Sequence, residues 1–460
     1  MERNIITVDV TIDKLLQDKK YKTLRDILST MNAYDIAMLF EDMHDSKIPL
    51  LFRMLPKELA ADVFVEMDED TQEFLIKGFS DSELKEVVDE LSADDAADII
   101  EEMPANVVKR ILRQASPEAR KEINGLLKYP DSSAGSIMTT EFVYLRPSMT
   151  VEEAIKRIRR TGVDKETIYT CYVVKNDSTL IGIITIKTLL LADEEELIEN
   201  LMETNVISVG TLDDRELVVQ TVKNYDFLAV PVVDTEGRLV GIVTVDDAVD
   251  VLVEETTEDI QKMAAMGTTD KPYSKVGVFE SWWHRIPWLL LLMISATFTG
   301  IIISSFEEKL AASLALTAFI PMLMGTGGNA GSQSSVTVIR SLSLEEIEFK
   351  DIFYVVFKEC RISILCGITL AVVNFGKMLL VDYLMLHNLE PSEAIPVSLV
   401  VSLTLVATVF VAKVIGCSLP MVAKKIHLDP AVMASPFITT IVDAVSLLVY
   451  FFIATAILHI

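Results

Sequence analysis

Cysteine and histidine are scarce in this chain, which has four Cys and five His among 460 residues. The cysteines form no Cys-x-x-Cys pair, so neither a disulfide framework nor a zinc site is indicated. The histidines are scattered along the chain, and neither His-Glu-x-x-His nor Gly-x-Ser-x-Gly occurs. The absence of these motifs argues against catalysis, so we predict from the sequence that the protein is not an enzyme.

Basic residues are few relative to acidic ones, and the net charge is −27. Residues 276–460 carry only −3, so the first 275 residues carry −24. A surface this acidic excludes nucleic acid as a partner held by phosphate contacts and favours cations instead. The stretch Met1–Asp13 has no basic segment followed by an apolar one, so we expect no cleaved signal peptide and a cytosolic N-terminus.

A residue type that commonly starts helices recurs every 12 positions between Leu55 and Asn124. Apolar residues at helical spacing, such as Ala61 and Phe64, lie between these positions. The pattern predicts short stacked helices in an all-α superhelical domain, residues 1–130, which suits regulation or docking better than catalysis. The recurring positions are Pro56, Asp68, Ser80, Ser92, Pro104 and Ser116.

A second repeat occupies residues 131–250. Each copy has the pattern of an amphipathic helix, two short β-rich runs and a second helix, so we predict an α+β pair with copies at about 131–200 and 201–250. The matched positions, all 59 apart, are Val174 with Val233, Gly182 with Gly241, and Thr185 with Thr244.

These residues resemble a tandem pair of CBS domains, and the resemblance implies that the two copies pack together and bind adenosine nucleotides or cations. The ribose-binding pattern of that family is Thr-x-x-Asp at the second strand-to-helix turn. The second copy has it as Thr244 and Asp247, whereas the first copy has Thr188 in place of the acid. The resemblance therefore makes ATP a candidate ligand of the second copy.

An acidic run follows the second copy, with seven acids in the fourteen positions 246–259 and no Lys or Arg among them. A run of this kind is often a solvated helix face. Here, however, Asp247 and Asp250 share one helical face and Glu255 and Glu258 another, so like charges repel unless cations bridge them. We predict an acidic linker helix, residues 251–280, and further carboxylates for the same purpose at Asp94, Asp95, Asp98, Asp213, Asp214, Glu216 and Asp226.

Long apolar runs dominate residues 281–460 and predict an all-α membrane domain with five transmembrane helices, surrounded by membrane lipid. Lys and Arg concentrate in the loops that are cytosolic if the N-terminus is cytosolic, so five spans place the C-terminus outside. The predicted spans are Ile286–Ile303, Leu310–Ile339, Ile362–Val381, Ala394–Ala412 and Pro430–Leu458.

One carboxylate, Asp443, lies near the middle of the last span, where a charge costs at least about 2.5–3.5 kcal/mol and so indicates a function. Ser435, Thr439 and Asp443 are spaced four apart and stack on one helical face. Such an all-oxygen lining suits a hard divalent cation, and two chains on a two-fold axis would supply two carboxylates. The alternative is that Asp443 only joins neighbouring helices by hydrogen bonds.

The second span carries the small-residue stretch GTGGNAGSQS, and we expect its Asn329 to join Asp443, Thr439 and Ser435 at the metal site of the ion path. Glycines in such helices commonly serve close packing, but this many small and polar residues indicate a lining role as well. Proline adds to the oxygen set, because a proline inside a helix leaves the carbonyl four residues earlier without its partner. We expect free carbonyls of this kind from Pro321, Pro420 and Pro436.

The order of acidic superhelix, CBS pair, acidic linker helix and five spans, together with GTGGNAGSQS and DPAVMASPFITTIVDAVSLLVY, resembles the MgtE family of bacterial magnesium transporters over essentially the whole chain. The resemblance implies a homodimeric, channel-like Mg²⁺ pathway in the cytoplasmic membrane. It implies an ion site at Asp443 flanked by Thr439 and Ser435, the last of which is often Asn in the family. It also implies a plug helix from about Asp250 to Ser274.

Regulatory Mg²⁺ is the second expectation from the resemblance, which implies that high cytosolic Mg²⁺ bridges the acids and closes the pathway. Two alternatives remain: transport of another divalent cation, such as Mn²⁺ or Co²⁺, and a membrane-anchored CBS nucleotide sensor without transport. The residues that match the regulatory positions are Asp94, Asp98, Asp214, Glu216, Asp226, Asp247, Asp250, Glu255, Glu258 and Asp259.

Overall fold

The computed structural model describes residues 11–458, except 13, 42, 44–45, 164, 270, 272, 307–313, 386–390, 392–393 and 434. The chain divides into two compact units, Met1–Leu252 and Val253–Ile460. The first unit holds a helical domain and an α/β pair, and the second holds long helices. The predicted fold class is confirmed in this order of elements.

Short helices follow one another through the N-terminal domain, and each of the six predicted starting residues is the N-cap of a helix. The Ser80 hydroxyl accepts the backbone N–H of Glu83, whose carboxylate accepts the Ser80 N–H in return. Local capping therefore determines these boundaries. The helices are α1 (Tyr21–Leu28), α2 (Ala33–Glu41), α3 (Ile48–Phe52), α4 (Lys57–Val65), α5 (Glu69–Gly78), α6 (Asp81–Glu90), α7 (Ala93–Glu102), α8 (Ala105–Gln114) and α9 (Pro117–Leu126).

Helices two apart in the sequence pack against each other, as α2 does on α4, α4 on α6 and α6 on α8. Their apolar faces form a core in which the ring centroids of Phe52 and Phe79 lie 5.3 Å apart. This core continues without a break into the second α/β copy through Met138 and Val218. The helical domain is thereby joined to the second copy, which places α7 close to the start of the linker helix.

The α/β pair consists of two three-stranded sheets with the same topology. In each copy the first strand is parallel to the second, which is antiparallel to the third. Val173 pairs with Gly182 and Val232 with Gly241, so the repeat predicted from the 59-residue spacing is present in the strand register. The elements are β1 (Phe142–Leu145), α10 (Val151–Thr161), β2 (Thr167–Val174), β3 (Leu180–Thr185), α11 (Ile186–Leu191), α12 (Ile198–Leu201), β4 (Val209–Gly210), α13 (Arg215–Tyr225), β5 (Ala229–Val233) and β6 (Leu239–Thr244).

The linker helix, α14 (Val245–Met263), begins directly after β6 without an intervening loop. It ends 17 residues before the predicted boundary at residue 280, because Ala265 adopts a left-handed conformation with φ 52°. The N–H of Met266 then donates to the carbonyl of Gln261 at 3.0 Å, the bond that commonly closes a helix C-terminus. The linker helix therefore ends before Ser274, the end of the plug helix that the family resemblance implies. Its first residues belong to the second α/β copy.

The second unit continues with long helices arranged around α18. This helix packs against α16, α17 and α19, and α15 packs against α19. The elements are α15 (Val278–Ser305), a 3₁₀ turn (Leu314–Phe319), α16 (Ile320–Ser343), a second 3₁₀ turn (Phe349–Asp351), α17 (Ile352–Lys377) with a π-helical continuation (Met378–Met385), α18 (Ala394–Lys425), a third 3₁₀ turn (Pro430–Met433) and α19 (Ser435–Leu458).

Among the described residues, four segments are long and apolar enough to cross a membrane: Val278–Ser305, Phe349–Met385, Ala394–Lys425 and Pro430–Leu458. The predicted second span corresponds to α16, which has 24 residues but is not one of the four. Its glycines, serines and amides make it less apolar than its neighbours. The count of five spans therefore stays a prediction.

Candidate cation sites

The last helix, α19, lies unusually close to the glycine-rich helix α16. A Cβ atom added at Gly328 would lie 2.9 Å from Cγ2 of Thr439, and one added at Gly327 would lie 2.9 Å from Cγ1 of Val442. Only glycine permits this approach, since real Cβ contacts are longer. The packing role of these glycines is thus present in the structure, and it brings α16 against the face of α19 that leads to Asp443.

Asp443 lies one helical turn beyond Thr439 and is half-buried. Its Oδ1 atom is removed from solvent and has no hydrogen-bond partner among the described residues. A buried carboxylate oxygen without a partner is costly, and a ligand is one of the few explanations for it. Ser435 begins α19, but its side chain is outside the described part of the structure.

Asn329 does not join Asp443, contrary to the grouping expected from the sequence. It is exposed on a different face of α16, where it lines a cavity of about 470 Å³ together with Gln333, Thr369 and Lys413. Successive residues of a helix point about 100° apart, so Gly328 facing α19 turns Asn329 towards α17 and α18. The assignment of Asn329 to the Asp443 site is therefore not supported by this chain alone.

The carbonyls expected from proline are also fewer than predicted. Pro321 and Pro436 stand in the first turns of α16 and α19, where the N–H of any residue would have no helical partner. Their missing N–H groups consequently free no helical carbonyl, and the prediction for Pro321 and Pro436 was wrong. Of these three prolines, Pro420 alone lies inside a helix, α18.

Carboxylates from three parts of the first unit converge on the start of the linker helix. We call Asp94, Asp95, Asp98, Glu166 and Asp247 the N-terminal acidic cluster. Burial, followed by repulsion from Asp94 and other neighbouring acids, raises the pKa of Asp98 to about 8 and that of Glu166 to about 7. Burial likewise raises the pKa of Asp247 to about 6, although Thr244 donates a hydrogen bond to its Oδ2 at 2.5 Å. Raised pKa values of this kind mean that these acids keep their protons to higher pH than isolated carboxyl groups do.

Two further acids face the same region. Asp250, one turn further along α14, interacts with Glu66 of α4, and burial together with this charge raises the pKa of Glu66. Glu166 was not predicted from the sequence, because it follows Lys165 directly in the loop before β2 and belongs to no acidic run. No local pattern marks it, and its approach to Asp94 and Asp247 depends on tertiary packing.

A C-terminal acidic cluster lies in the second unit and consists of Glu255, Glu258, Asp259 and Asp429. Burial and then repulsion from Asp429 raise the pKa of Asp259. Lys262 lies among these acids, with its Nζ 2.7 Å from an oxygen of Glu258 and 2.7 Å from an oxygen of Asp429. Asp429 and Lys262 were missed in the sequence, although Lys262 stands only three residues beyond the acidic run.

Asp214, Glu216 and Asp226 lie elsewhere. Asp214 caps α13 by accepting the N–H of Glu216 at 2.9 Å, and Asp226 stands beyond the other end of this 11-residue helix. The helix separates Asp214 from Asp226, 12 residues further on, by roughly 18 Å at 1.5 Å per residue. The structure thus does not unite Asp226 with Asp214 and Glu216.

The nucleotide pattern of the second copy forms a local turn, in which the buried Thr244 hydroxyl donates to Asp247. The first copy has the same geometry with hydroxyls only, since Thr185 Oγ1 and Thr188 Oγ1 lie 2.9 Å apart. Asp247 thereby belongs both to the ribose pattern and to the N-terminal acidic cluster.

Within the described residues, no three His, Cys, Asp or Glu side chains are arranged to hold one metal ion directly. The donors in both clusters are nevertheless all carboxylates, which suit Mg²⁺. This ion keeps several of its waters and needs only one or two carboxylates. The clusters fit hydrated Mg²⁺ that bridges acids through water rather than a preformed cage.

Models of known families match most of the chain. The model described as "Divalent cation transporter", MgtE, matches residues 320–453, and the "MgtE intracellular N domain" matches residues 31–132. The CBS domain model matches twice, at residues 134–195 and 198–254.

Relatives along the full length are similar to the chain as well. The "Magnesium transporter MgtE" of Thermus thermophilus is 35% identical over 98% of both chains, and that of Bacillus subtilis is 33% identical over 97% of this chain and 96% of its own. The crystal structure of "the cytosolic domain of the Mg2+ channel MgtE in complex with ATP" covers 53% of this chain and 99% of its own, with 36% identity and a TM-score of 0.51. The "soluble part of a magnesium transporter" covers 55% of this chain and 99% of its own, with 31% identity and a TM-score of 0.52.

Proposed function

Since the chain belongs to the MgtE family of divalent cation transporters, we propose that it carries Mg²⁺ across the cytoplasmic membrane. The family resemblance read from the motifs is confirmed by this membership. The observation that carries the proposal in this chain is the buried, unpartnered carboxylate oxygen of Asp443 beside the close contact of α16 and α19. Five spans, a cytosolic N-terminus and an external C-terminus belong to the proposal.

The ion is held at Asp443, with Thr439 and Ser435 along the same face. One carboxylate supplies a single negative charge, so the pathway needs a second copy of the chain, whose Asp443 completes the charge of a divalent ion. A homodimer is thus part of the proposal. The inward flow is driven by the negative potential inside the cell.

Cytosolic Mg²⁺ closes the pathway by binding to the two acidic clusters. The raised pKa values of Asp98, Glu166 and Asp247 support this step, because the repulsion among these acids, which adds to the effect of their burial, is relieved by a divalent cation. The linker helix α14 carries acids of both clusters, so bridged acids stabilise one position of this helix. When Mg²⁺ falls, repulsion destabilises that position and the pathway opens.

A nucleotide is the second candidate ligand. The crystal structure of a relative's cytosolic domain contains ATP, and Thr244 and Asp247 retain the ribose pattern here. ATP bound at the second copy would engage Asp247 and so compete with or reinforce Mg²⁺ at the N-terminal acidic cluster.

Flux of Mg²⁺ into proteoliposomes tests the transport proposal. We expect Mg²⁺ uptake by the unaltered chain and none by Asp443→Asn, whereas Glu345→Gln, which removes one exposed loop carboxylate, should transport normally. Normal uptake by Asp443→Asn would refute the ion site. Mn²⁺ or Co²⁺ in place of external Mg²⁺ in the same uptake assay tests the alternative substrates. Absence of all uptake by the unaltered chain would favour a membrane-anchored nucleotide sensor.

A further inference from the structure

A group of three buried polar side chains in the second unit includes neither Asp443 nor any residue of the C-terminal acidic cluster. Lys413 of α18 places its Nζ 3.1 Å from Oγ of Ser334 on α16 and 3.5 Å from Oε2 of Glu359 on α17. The Ser334 hydroxyl donates to the same Glu359 oxygen at 2.5 Å. We call Ser334, Glu359 and Lys413 the polar latch. It joins three helices through one carboxylate oxygen.

The polar latch is removed from solvent, with exposed fractions of 1% for Ser334, 8% for Glu359 and 6% for Lys413. Burying an ion pair costs several kcal/mol per ion, and well-packed apolar residues of similar size often stabilise a protein as much or more. Helix cohesion alone therefore does not require these charges. What a hydrogen-bonded ion pair adds over apolar packing is one defined geometry, since the bonds form at one rotation and one depth of each helix.

The part of α16 next to Ser334, one turn earlier along the helix, is equally constrained. A Cβ atom at Gly331 would lie 2.7 Å from Cγ2 of Ile438 on α19 and 3.2 Å from the carbonyl oxygen of Ala412 on α18. With Gly327 and Gly328, this face of α16 has no room for a side chain. Glycines permit close contact but do not specify rotation, because they carry no side chain that interlocks. The polar latch supplies that specification through the side chain of Ser334, one turn beyond Gly331.

We propose that the polar latch fixes the rotation and depth of α16 and thereby positions the ion path at Thr439 and Asp443. Ser334 and Lys413 are positioning residues in this account, because α16 transmits their constraint through Gly328 to Thr439 and through Gly327 to Val442, the neighbour of Asp443. The inference rests on the proposed function. It assigns a role in cation selectivity to residues outside the ion path.

The test compares two neighbouring serines of α16. Ser334→Ala removes the hydrogen bonds that connect α16 to Glu359 and Lys413, and it leaves the Lys413–Glu359 pair in place. Ser335→Ala is the matched control, because Ser335 is also buried but its Oγ has no hydrogen-bond partner among the described residues. Uptake of Mg²⁺ and of Co²⁺ is measured on the same proteoliposomes. Their ratio does not depend on the amount of folded protein, so a merely structural loss would leave it unchanged.

We expect the ratio of Mg²⁺ to Co²⁺ uptake to change by about tenfold in Ser334→Ala, the factor that loss of one hydrogen bond to a charged group produces. The ratio should stay at its normal value in Ser335→Ala. A second variant, Lys413→Met with Glu359→Met, replaces the charges by apolar residues of similar volume. It should fold with unchanged or higher Tm and still show the altered ratio, whereas Lys413→Arg should retain the normal one.

The outcomes separate the two proposals. If the unaltered chain transports Mg²⁺ and Ser334→Ala and the double Met variant both keep its ratio, the polar latch only holds helices together and the inference is wrong. If the double Met variant does not fold, Ser334→Ala alone decides. If the unaltered chain takes up no divalent cation, the proposed function fails, and the positioning role of the polar latch fails with it.

Discussion

The N-terminal acidic cluster makes the stability of the chain depend on pH and on Mg²⁺ together. The pKa values are about 8 for Asp98, about 7 for Glu166 and about 6 for Asp247, against ordinary values of 3.8 for Asp and 4.5 for Glu. Below about pH 4 the acids are protonated in both the folded and the unfolded chain. As pH rises, the unfolded chain loses these protons first, so folding stability falls between about pH 4 and pH 8 and then levels off.

The magnitude follows from Asp247. A carboxyl group whose pKa is about 6 rather than 3.8 loses about 3 kcal/mol of folding free energy when it ionises. Asp247 is only partly buried, so solvent screening reduces this loss to about 1–2 kcal/mol. For a unit of this size, such a loss lowers Tm by roughly 2–8 °C.

The assay is thermal unfolding of the full chain in detergent with a chelator at pH 5, 7 and 8.5, repeated with Mg²⁺. We expect Tm to fall with rising pH in the chelator, and Mg²⁺ to raise Tm more at pH 8.5 than at pH 5, because only ionised acids bind it. Asp247→Asn should flatten the profile. Asp89→Asn, which removes one exposed charge from α6, should not.

A Tm that stays level or rises from pH 5 to 8.5 without divalent cations would contradict the raised pKa values of the N-terminal acidic cluster. A Mg²⁺ effect of equal size at both ends of this range would contradict binding of Mg²⁺ by its ionised acids.

Three other substitutions test contacts described above. Gly416→Ala places a Cβ against the carbonyl oxygen of Gly331, so we expect an overpacking cost of about 1–3 kcal/mol, seen as a lower Tm. Gly376→Ala meets no atom within 4 Å and should be neutral, and equal Tm values for the two variants would contradict the close contact of α16 and α18. Lys262→Met removes the cation already present in the C-terminal acidic cluster, so the Mg²⁺ concentration that halves flux should fall about two- to fivefold, and an unchanged value would show that Lys262 does not compete with Mg²⁺. Ser80→Ala breaks a capping box and should destabilise the first unit by about 1 kcal/mol, seen as a lower first unfolding transition; no change would show that the cap contributes little.

The features that could be predicted from the sequence are those determined by neighbours along the chain. Helix starts at Ser80 and Ser92 depend on one side chain and the N–H group three residues later, so their spacing alone reveals them. The paired α/β copies are visible because the chain contains its own comparison, 59 residues apart. Asp443 is conspicuous because it stands alone in an apolar run.

The remaining features depend on contacts between distant residues or on the rotation of a helix. Lys413 meets Ser334 across 79 positions, and the predicted fourth span stopped just before Lys413, although apolar residues resume after it. Asn329 was assigned to Asp443 by proximity of motifs, but one residue of helix rotation turns it away from α19. Asp429 and Glu166 similarly reach their clusters only through tertiary packing.

The 12-residue spacing of the N-terminal domain also constrains how its length can change. Each of the helices α5 to α9 has 10 residues, and two residues connect each helix to the next. After removal or duplication of 12 residues, every N-cap residue would therefore still stand at an N-cap position. Because helices two apart in the sequence pack together, insertion of one helix with its connection would move every later helix to the other side of the stack. The smallest insertion that preserves this packing is therefore a pair of helices with their connections. Homologous domains are expected to differ in length by multiples of two helices rather than by isolated residues.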